Sequence, residues 1–312
     1  MKAYAIESSD KPAGLVTVAD PLNGEGVTIA VRAAGLNGFD VYQASGYLIG
    51  MMEHRFPAII GRDLAGVVEA IGSDASDFAV GDEVFGFLPS IPPLERGTFA
   101  ERISGDGAIL APKPTGLDFE QAAALPLAGA AALDLLDAAE VKSGDTVLIV
   151  GATGGVGSFA IQLAALRGAT VVATAGPDDE DFVRDLGAAH VVNHVDENVV
   201  AAVRGLFPEG VTTLVDVASQ GDALSEIGDV VQAGGRVVSL LGAADVEHFA
   251  GRDIAASNVN AVVTIEKLER LGSMAVSGEL RVPIQSVYPL DQVETALEEF
   301  GRGKRGKLVL KI

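Results

Sequence analysis

Cysteine and tryptophan are absent from this sequence, and basic residues are few. Without cysteine, the chain has no disulfide, iron–sulfur cluster, thiolate zinc site or cysteine nucleophile. Lys and Arg number 22 against 43 Asp and Glu, which gives a formal net charge of -21. A surface of that charge repels phosphate backbones and anionic membranes, so we expect neither nucleic acid nor a membrane as a partner.

The sequence also lacks an apolar run long enough to span a membrane. The most apolar stretch, residues 122–133, ends at Asp134 and contains Pro126, whereas a spanning helix needs about 20 apolar residues. The first residues carry charges at Lys2 and Glu7 and do not form the apolar centre of a signal peptide. We therefore expect a cytoplasmic protein.

What the chain does have is enough length for two domains and many small residues. It contains 312 residues, of which 38 are Gly and 48% are hydrophobic, as is typical of a close-packed α/β protein. Up to about Pro112, short β-like runs alternate with Gly and Pro, and from Thr146 onward β-branched runs alternate with helical patterns. Strict alternation of strand and helix predicts a doubly wound parallel sheet that is covered on both faces.

The predicted elements follow this division. The β-like runs of the first part cover residues 15–19, 27–34, 64–71, 83–87 and 100–103. In the second part we expect strands at 147–150, 170–174, 191–192, 214–218 and 236–240, with helices at 156–166, 179–186, 199–206 and 223–231. A sixth strand at about 259–263 would complete the sheet. After a helix over 265–276, a last β run at 307–311 is expected to return to the first domain.

The strongest local motif lies in residues 147–158, where an apolar strand runs into glycines and then into an amphipathic helix. Gly154 lets the backbone approach a pyrophosphate, Gly157 allows helix and strand to pack closely, and the helix N-terminus attracts anions. Gly-rich turns also join strands and helices that bind nothing, but the βαβ pattern that follows favours a dinucleotide site. The cofactor-binding residues predicted here are Gly151, Ala152, Thr153, Gly154, Gly155, Val156 and Gly157.

The end of the second strand of this sheet bears on the choice of dinucleotide. NAD enzymes place an acid about 20 residues after the glycines to bind the ribose 2′-hydroxyl, and Gly176 stands there in this chain. The charge that would repel a 2′-phosphate is therefore missing. Alternatively, Gly176 is only a turn glycine before Pro177.

Segments spread over nearly the whole chain resemble one family. They are residues 33–42 (AAGLNGFDVY), 61–68 (GRDLAGVV), 80–86 (VGDEVFG), 122–126 (AAALP), 151–157 (GATGGVG) and 306–310 (GKLVL). In order and spacing these resemble the zinc-independent quinone oxidoreductase branch of the medium-chain dehydrogenase/reductase superfamily. The resemblance implies a GroES-like β-rich catalytic domain over residues 1–118 and 264–312, interrupted by a Rossmann dinucleotide-binding domain over 119–263. It also implies an active site in the cleft between the two domains.

Zinc-dependent members of that superfamily place a Cys where Asn37 stands and a His where Arg62 stands. Neither ligand is present, and the 4 His residues show no ligand spacing. The sequence therefore predicts no metal site and a direct hydride transfer, in which the cofactor carries the chemistry and the protein supplies position and polarisation.

The catalytic residues implied by the resemblance are Asn37, Asp40 and Tyr42, which match the family's Asn-x-x-Asp-x-Tyr segment beside the nicotinamide. Asn37 would hydrogen-bond near the substrate or nicotinamide, Tyr42 would polarise a substrate carbonyl, and Asp40 would hold the loop. A structural interpretation also stands for each: Asp40 caps the helix that follows, Asn37 satisfies a turn, and Tyr42 is packing.

The remaining predicted cofactor contacts are Thr174, Gly176, His194, Ala218, Leu241, Gly242, Lys304 and Arg305. His194 replaces a family Tyr, and no basic residue follows the second strand, where residues 177–180 read PDDE. A 2′-phosphate would thus need a distant donor, for which Lys304 or Arg305 is our hypothesis, or the N–H groups of the helix near Asp179. We expect NADPH as the cofactor, with NADH not excluded.

These observations favour an NADPH-dependent reductase of quinones or α,β-unsaturated carbonyl compounds. One alternative is an enoyl-thioester reductase, because residues 34–37 also resemble the enoyl-reductase modules of polyketide synthases. Another is a dinucleotide-binding protein with a structural or sensory role. We expect a homodimer as well, since the family pairs the sheet edge formed here by residues 258–263, and an exposed apolar edge is usually covered.

Overall fold

The computed structural model describes residues 1–21, 26–72, 78–105 and 107–312. Its internal contacts divide the chain into two compact units, Met1–Leu127 with Val263–Ile312, and Ala128–Val262. The domain boundaries expected from the sequence, at 118/119 and 263/264, stay a prediction. Within the described residues, no helix has the length and apolar character needed to cross a membrane. The cytoplasmic location also stays a prediction.

The elements are numbered in chain order. The strands are β1 Lys2–Ile6, β2 Ala13–Thr17, β3 Val27–Gly35, β4 Ala58–Ile59, β5 Asp63–Ile71, β6 Glu83–Phe87, β7 Arg102–Ser104, β8 Ile109–Pro112, β9 Thr146–Val150, β10 Thr170–Ala175, β11 His190–Asn193, β12 Val211–Asp216, β13 Val231–Ser239, β14 Ala255–Asn258, β15 Ile284–Pro289 and β16 Lys307–Lys311. The helices are α1 Gly38–Ala44, α2 Phe119–Ala124, α3 Pro126–Ala138, α4 Gly155–Leu166, α5 Glu180–Asp185, α6 Val199–Leu206, α7 Ala223–Ile227, α8 Val246–Ala250, α9 Ile265–Ser277 and α10 Val293–Arg302.

The first unit is built on a mixed sheet with the strand order β15-β16-β3-β5-β6-β8, in which β7 also pairs with β3. A smaller sheet has the order β2-β1-β4. Strand β16 runs antiparallel to β3, with Val309 opposite Gly35, so the predicted return of residues 307–311 to the first part of the chain is observed. This pairing brings the start of β16 beside the residues that follow β3.

The second unit is a parallel sheet with the strand order β11-β10-β9-β12-β13-β14. Val147, Leu148 and Ile149 of the central strand β9 are fully buried, as expected where helices cover both faces of a sheet. The strand order changes direction at β9, and the carboxyl end of that strand is where such sheets bind ligands. The doubly wound parallel sheet predicted from the sequence is confirmed.

The predicted position of the sixth strand is wrong. The edge strand is β14, Ala255–Asn258, which pairs in parallel with β13, and residues 259–263 lie beyond it. The apolar run there suggested a strand, but Val262 donates its backbone N–H to the Asp134 side chain at 2.8 Å. At the end of β14, the Asn258 side-chain amide donates to the Ala244 carbonyl and accepts from the Ala244 N–H, each at 3.0 Å.

Candidate functional site

The turn between β9 and α4 holds the predicted phosphate-binding residues of the second unit. Gly151 has φ +80°, and a Cβ there would lie 2.7 Å from the Ala218 Cβ. At Gly157, in the first turn of α4, a Cβ would lie 2.2 Å from the Gly151 carbonyl oxygen. Both positions therefore require glycine, one for its backbone conformation and one for close packing.

The same turn ends at the N-terminus of a helix with no competing acid. Gly154 is the N-cap of α4, and the first turn of the helix carries no acidic residue. Ala152, Thr153, Gly155 and Val156 complete the turn between strand and helix. A strand end, a tight glycine turn and a helix N-terminus together fit the pyrophosphate of a dinucleotide.

Thr174 supports this turn from the neighbouring strand β10. Its hydroxyl accepts a hydrogen bond from the Gly151 N–H at 3.2 Å and donates to the Ile149 carbonyl at 3.4 Å. The side chain is 4% exposed. The geometry therefore gives Thr174 a bracing contact to the glycine turn.

Asp216, which the sequence analysis did not single out, organises the next two loops. This fully buried carboxylate at the end of β12 accepts from the N–H groups of Ala218 at 3.3 Å and Ser219 at 2.9 Å, and from the Ser239 hydroxyl at 2.8 Å. The Ser239 hydroxyl oxygen in turn accepts from the Leu241 N–H at 3.3 Å. A single buried acid thus fixes the loops that carry the predicted contacts Ala218, Leu241 and Gly242. The signal that could have identified Asp216 in the sequence is an Asp at the end of a predicted strand.

Gly176 and His194 lie beside each other at the ends of β10 and β11. The His194 N–H donates to the Ala175 carbonyl at 3.2 Å, and His194 is exposed. Gly176 has an extended backbone with φ −77°, and a Cβ there would lie 3.6 Å from the Asp179 carboxylate. Any residue could adopt this backbone, so its conformation does not require a glycine at position 176.

Lys304 and Arg305 belong to the first unit, in the loop between α10 and β16. The Lys304 ammonium lies 3.9 Å from the centre of the Phe300 ring. Burial, together with the neighbouring charge of Lys307, lowers the pKa of Lys304 to about 8. The backbone N–H of Arg305 donates to the Gln285 side chain at 2.6 Å.

The three predicted catalytic residues lie together at helix α1 of the first unit. Asn37 precedes the helix and is 8% exposed, Asp40 is fully buried, and Tyr42 is 48% exposed. The Asp40 carboxylate accepts from the Asn37 N–H at 2.9 Å, which is one half of a capping box. The Tyr42 ring lies 5.6 Å from that of Tyr47, and its exposure places it outside the core.

Asn37 is held by two residues that sequence reasoning missed, Asp63 and Lys307. The Lys307 ammonium donates to the Asn37 Oδ1 at 2.6 Å, and the Asn37 Nδ2 donates to Asp63 at 2.9 Å. Both partners are buried, at 1% and 0% exposure. Burial raises the pKa of Asp63 to about 6, although Lys307 acts in the opposite direction.

The residues at the zinc-ligand positions do not fit a metal ion. Arg62 is 1% exposed, its guanidinium donates to the Gln43 Oε1 at 2.7 Å and to the Arg96 carbonyl at 2.9 Å, and it lies over the Phe39 ring. The side-chain oxygen of Asn37 accepts a hydrogen bond from the Lys307 ammonium. In the described parts of the chain, no group of three or more His, Cys, Asp or Glu residues is arranged to hold a metal.

Family models match both parts of the chain. Residues 23–115 match the model described as alcohol dehydrogenase GroES-like domain, and residues 155–274 match the one described as zinc-binding dehydrogenase. The first match includes α1, and the second begins at Gly155, the first residue of α4, and includes strands β10 to β14.

Whole-chain relatives agree with these matches. A quinone oxidoreductase of Sus scrofa is 32% identical over 91% of this chain and 88% of its own length. An NADPH-dependent alkenal/one oxidoreductase, chloroplastic, of Arabidopsis thaliana is 32% identical over 86% of this chain and 67% of its own. A mycocerosic acid synthase-like polyketide synthase of Mycobacterium tuberculosis is 32% identical over 92% of this chain, which matches 14% of that protein.

Replacing Asp40 by Asn should change how stability depends on pH. Burial raises the pKa of Asp40 from 3.8 to about 7, although the Arg62 guanidinium opposes the rise. The folded protein therefore keeps this proton up to about pH 7 while an unfolded chain releases it near pH 4, so wild-type stability falls as the pH rises through this window. Asn cannot lose a proton, so D40N should gain on the order of 4 kcal/mol relative to wild type across the window.

Thermal unfolding of both proteins at several pH values measures this difference. The Asn side chain can keep the hydrogen bond from the Asn37 N–H, and exposed Asp291→Asn serves as the control. A D40N-to-wild-type difference that stays constant with pH would contradict a buried, titrating Asp40.

Proposed function

The chain belongs to the quinone oxidoreductase branch of the medium-chain dehydrogenase/reductase superfamily, and on that premise we propose that it reduces quinones or α,β-unsaturated carbonyl compounds with NADPH and without a metal ion. The family identified from the sequence is confirmed, and with it an oxidoreductase that uses a nicotinamide dinucleotide. The acceptor, the preference for NADPH and metal independence are our proposals.

The observation that carries the proposal is the donor set around α1. The Arg62 guanidinium has no lone pair to offer a metal, and the Asn37 Oδ1 faces the Lys307 ammonium, whose charge would repel a metal cation. These two positions therefore provide no ligands for a metal ion that would activate an alcohol as a Lewis acid. Polarisation of a carbonyl by a hydrogen-bond donor needs only one exposed hydroxyl. Tyr42 supplies such a group on the same helix.

Each part of the chain then has a defined task. A bound nicotinamide dinucleotide supplies the hydride. The turn from Gly151 to Gly157 holds the pyrophosphate, braced by Thr174, and Asp216 keeps the loops at Ala218 and Leu241 in place. The Tyr42 hydroxyl donates to the acceptor's carbonyl oxygen, where negative charge develops as the hydride arrives at a quinone or at the β-carbon of an enone.

Oxidation of NADPH by a panel of acceptors tests the proposal. Quinones and enones should support turnover, and the rate should survive a strong chelator. Tyr42→Phe should lower kcat by about 10- to 1000-fold, because a hydroxyl that stabilises transition-state charge is lost, with the melting temperature unchanged. Tyr47→Phe, on the neighbouring exposed ring, is the matched control.

Other outcomes of the panel favour the alternatives. Activity on an enoyl thioester alone would make the chain an enoyl-thioester reductase. Tight binding of reduced dinucleotide without oxidation by any acceptor would favour a structural or sensory role. Turnover lost to the chelator would contradict metal independence, and unchanged kinetics in Tyr42→Phe would leave Tyr42 without a catalytic role.

We expect NADPH to be preferred over NADH by about tenfold or less, which corresponds to one modest charge-assisted contact. Gly176 has no carboxylate to repel a 2′-phosphate. The nearby Asp179 carboxylate would repel that phosphate and so reduce the preference for NADPH. The measurement is kcat/KM for both cofactors with one acceptor. Gly176→Asp should move the ratio toward NADH, and a clear advantage for NADH in the wild type would overturn the proposed preference.

We also propose a homodimer that pairs the edge of the parallel sheet at β14. This strand lies at the end of the strand order, and Val262, just beyond it, is 56% exposed. Edges with exposed apolar side chains are usually covered. Light scattering at micromolar concentration should give twice the chain mass of 31.9 kDa, and a monomer would refute the assembly.

A further inference from the structure

Lys307 is a cation in the interior of the first unit. It begins β16, is 1% exposed, and donates to the Leu36 carbonyl at 2.7 Å and to the Asn37 Oδ1 at 2.6 Å. Its ammonium also lies 3.7 Å from the Asp63 carboxylate. An ammonium taken out of water costs free energy that an apolar residue at the same place would avoid. Stability alone therefore does not account for a lysine here.

Asp63 is the matching anion at the start of β5. One of its oxygens accepts from the Asn37 Nδ2 at 2.9 Å, and the other accepts from the Leu127 N–H at 3.2 Å. Leu127 is in the first turn of α3. Asp63 is fully buried, so the carboxylate holds two chain segments that are far apart in the sequence.

The amide of Asn37 is consequently fixed at both ends. Its oxygen faces the ammonium and its nitrogen faces the carboxylate, which leaves one orientation of the amide. The Nδ2 atom also donates to the Gly35 carbonyl oxygen, 3.5 Å away. Asn37 therefore has little hydrogen-bonding capacity left for a substrate, and its contacts point toward a role as an anchor for the chain that follows.

The segment that follows Asn37 is α1, a helix of 7 residues. Isolated helices of this length do not hold their shape in water, so the position of α1 depends on its contacts with the rest of the unit. These are Asn37 at its start and, near its end, Gln43, whose Oε1 accepts from the Arg62 guanidinium at 2.7 Å. The Asn37 N–H is bonded to Asp40 within the helix, and the Asn37 side chain is bonded to β5 and β16 outside it. Tyr42 projects from the same helix and is half-exposed.

We propose that Lys307 and Asp63 are positioning residues, which clamp the Asn37 side chain and thereby fix the helix that presents the Tyr42 hydroxyl. The inference rests on the proposed role of Tyr42 in the reaction. It assigns Asn37 to anchoring the helix and Tyr42 to contact with the acceptor.

Lys307→Met, which keeps the length of the side chain and removes its charge, is the first test. We expect kcat to fall by about 10- to 100-fold, since a displacement of about 1 Å of a reacting group has effects of this size. The dissociation constant of NADPH should stay within about twofold, because its pyrophosphate binds at the glycine turn. Lys311→Met is the matched control, since Lys311 lies in the same strand with its side chain 70% exposed.

A double-mutant cycle separates positioning from a general loss of stability. If Lys307 acts through Tyr42, then Lys307→Met should lower kcat little further in a Tyr42→Phe background. Fully additive losses, or a lower melting temperature with kcat unchanged, would overturn the proposal. Asp63→Asn keeps the shape of the side chain and should show the same non-additivity, which covers the case in which Lys307→Met does not fold.

A spectroscopic measurement keeps this test independent of the acceptor. The chain has 4 Tyr residues and no Trp, so fluorotyrosine labelling gives few ¹⁹F resonances, and Tyr42→Phe identifies the one that matters. In Lys307→Met this resonance should shift or broaden, whereas Lys311→Met should leave it unchanged. An unperturbed Tyr42 resonance in Lys307→Met refutes the clamp, and failure of every acceptor with a shifted resonance refutes only the proposed reaction.

Discussion

The burial of Asp63 is the constraint on which the arrangement of the first unit depends. A carboxylate without solvent must be matched by donors, and here these come from Lys307, from the Asn37 amide and from the Leu127 backbone. The pairing of β3 with β5 and with β16 brings the Asn37 and Lys307 donors to this carboxylate, and the third donor comes from α3. The position of α1 is a consequence of the same requirement.

The second unit uses a buried carboxylate in a comparable way. Asp216 collects two backbone N–H groups and a serine hydroxyl at the carboxyl end of β12. In a parallel sheet all strand ends of one kind lie on one edge, so this acid and the glycine turn after β9 serve neighbouring loops. In both units the residues expected to contact ligand lie on loops or on a short helix, and a buried acid behind them supplies the rigidity.

Local signals in the sequence were sufficient for the sheet of the second unit and for its glycine turn. Apolar strands of β9 and β10 and the glycines at 151 and 157 each follow from short-range patterns, and the structure places them as expected. The edge strand was misplaced because Ala255–Asn258 is weakly apolar, while the valines that follow it imitate a strand. Hydrophobic periodicity does not report where backbone pairing stops, and beyond β14 the Val262 N–H bonds to a side chain of α3.

The contacts of Lys307 and Asp63 with Asn37 were not predicted from the sequence, for a different reason. Lys307 and Asn37 are 270 positions apart, and a charged residue at the start of a strand resembles any surface lysine in a single sequence. That separation has a consequence for synthesis. Chains emerge from the ribosome at about 5–20 residues per second and fold domain by domain, so the second unit is complete while the first still lacks β16. Helix α1 therefore lacks the Lys307 contact at Asn37 until almost all of the described chain has been made, and an unfinished chain would carry a folded second unit together with an incomplete first unit.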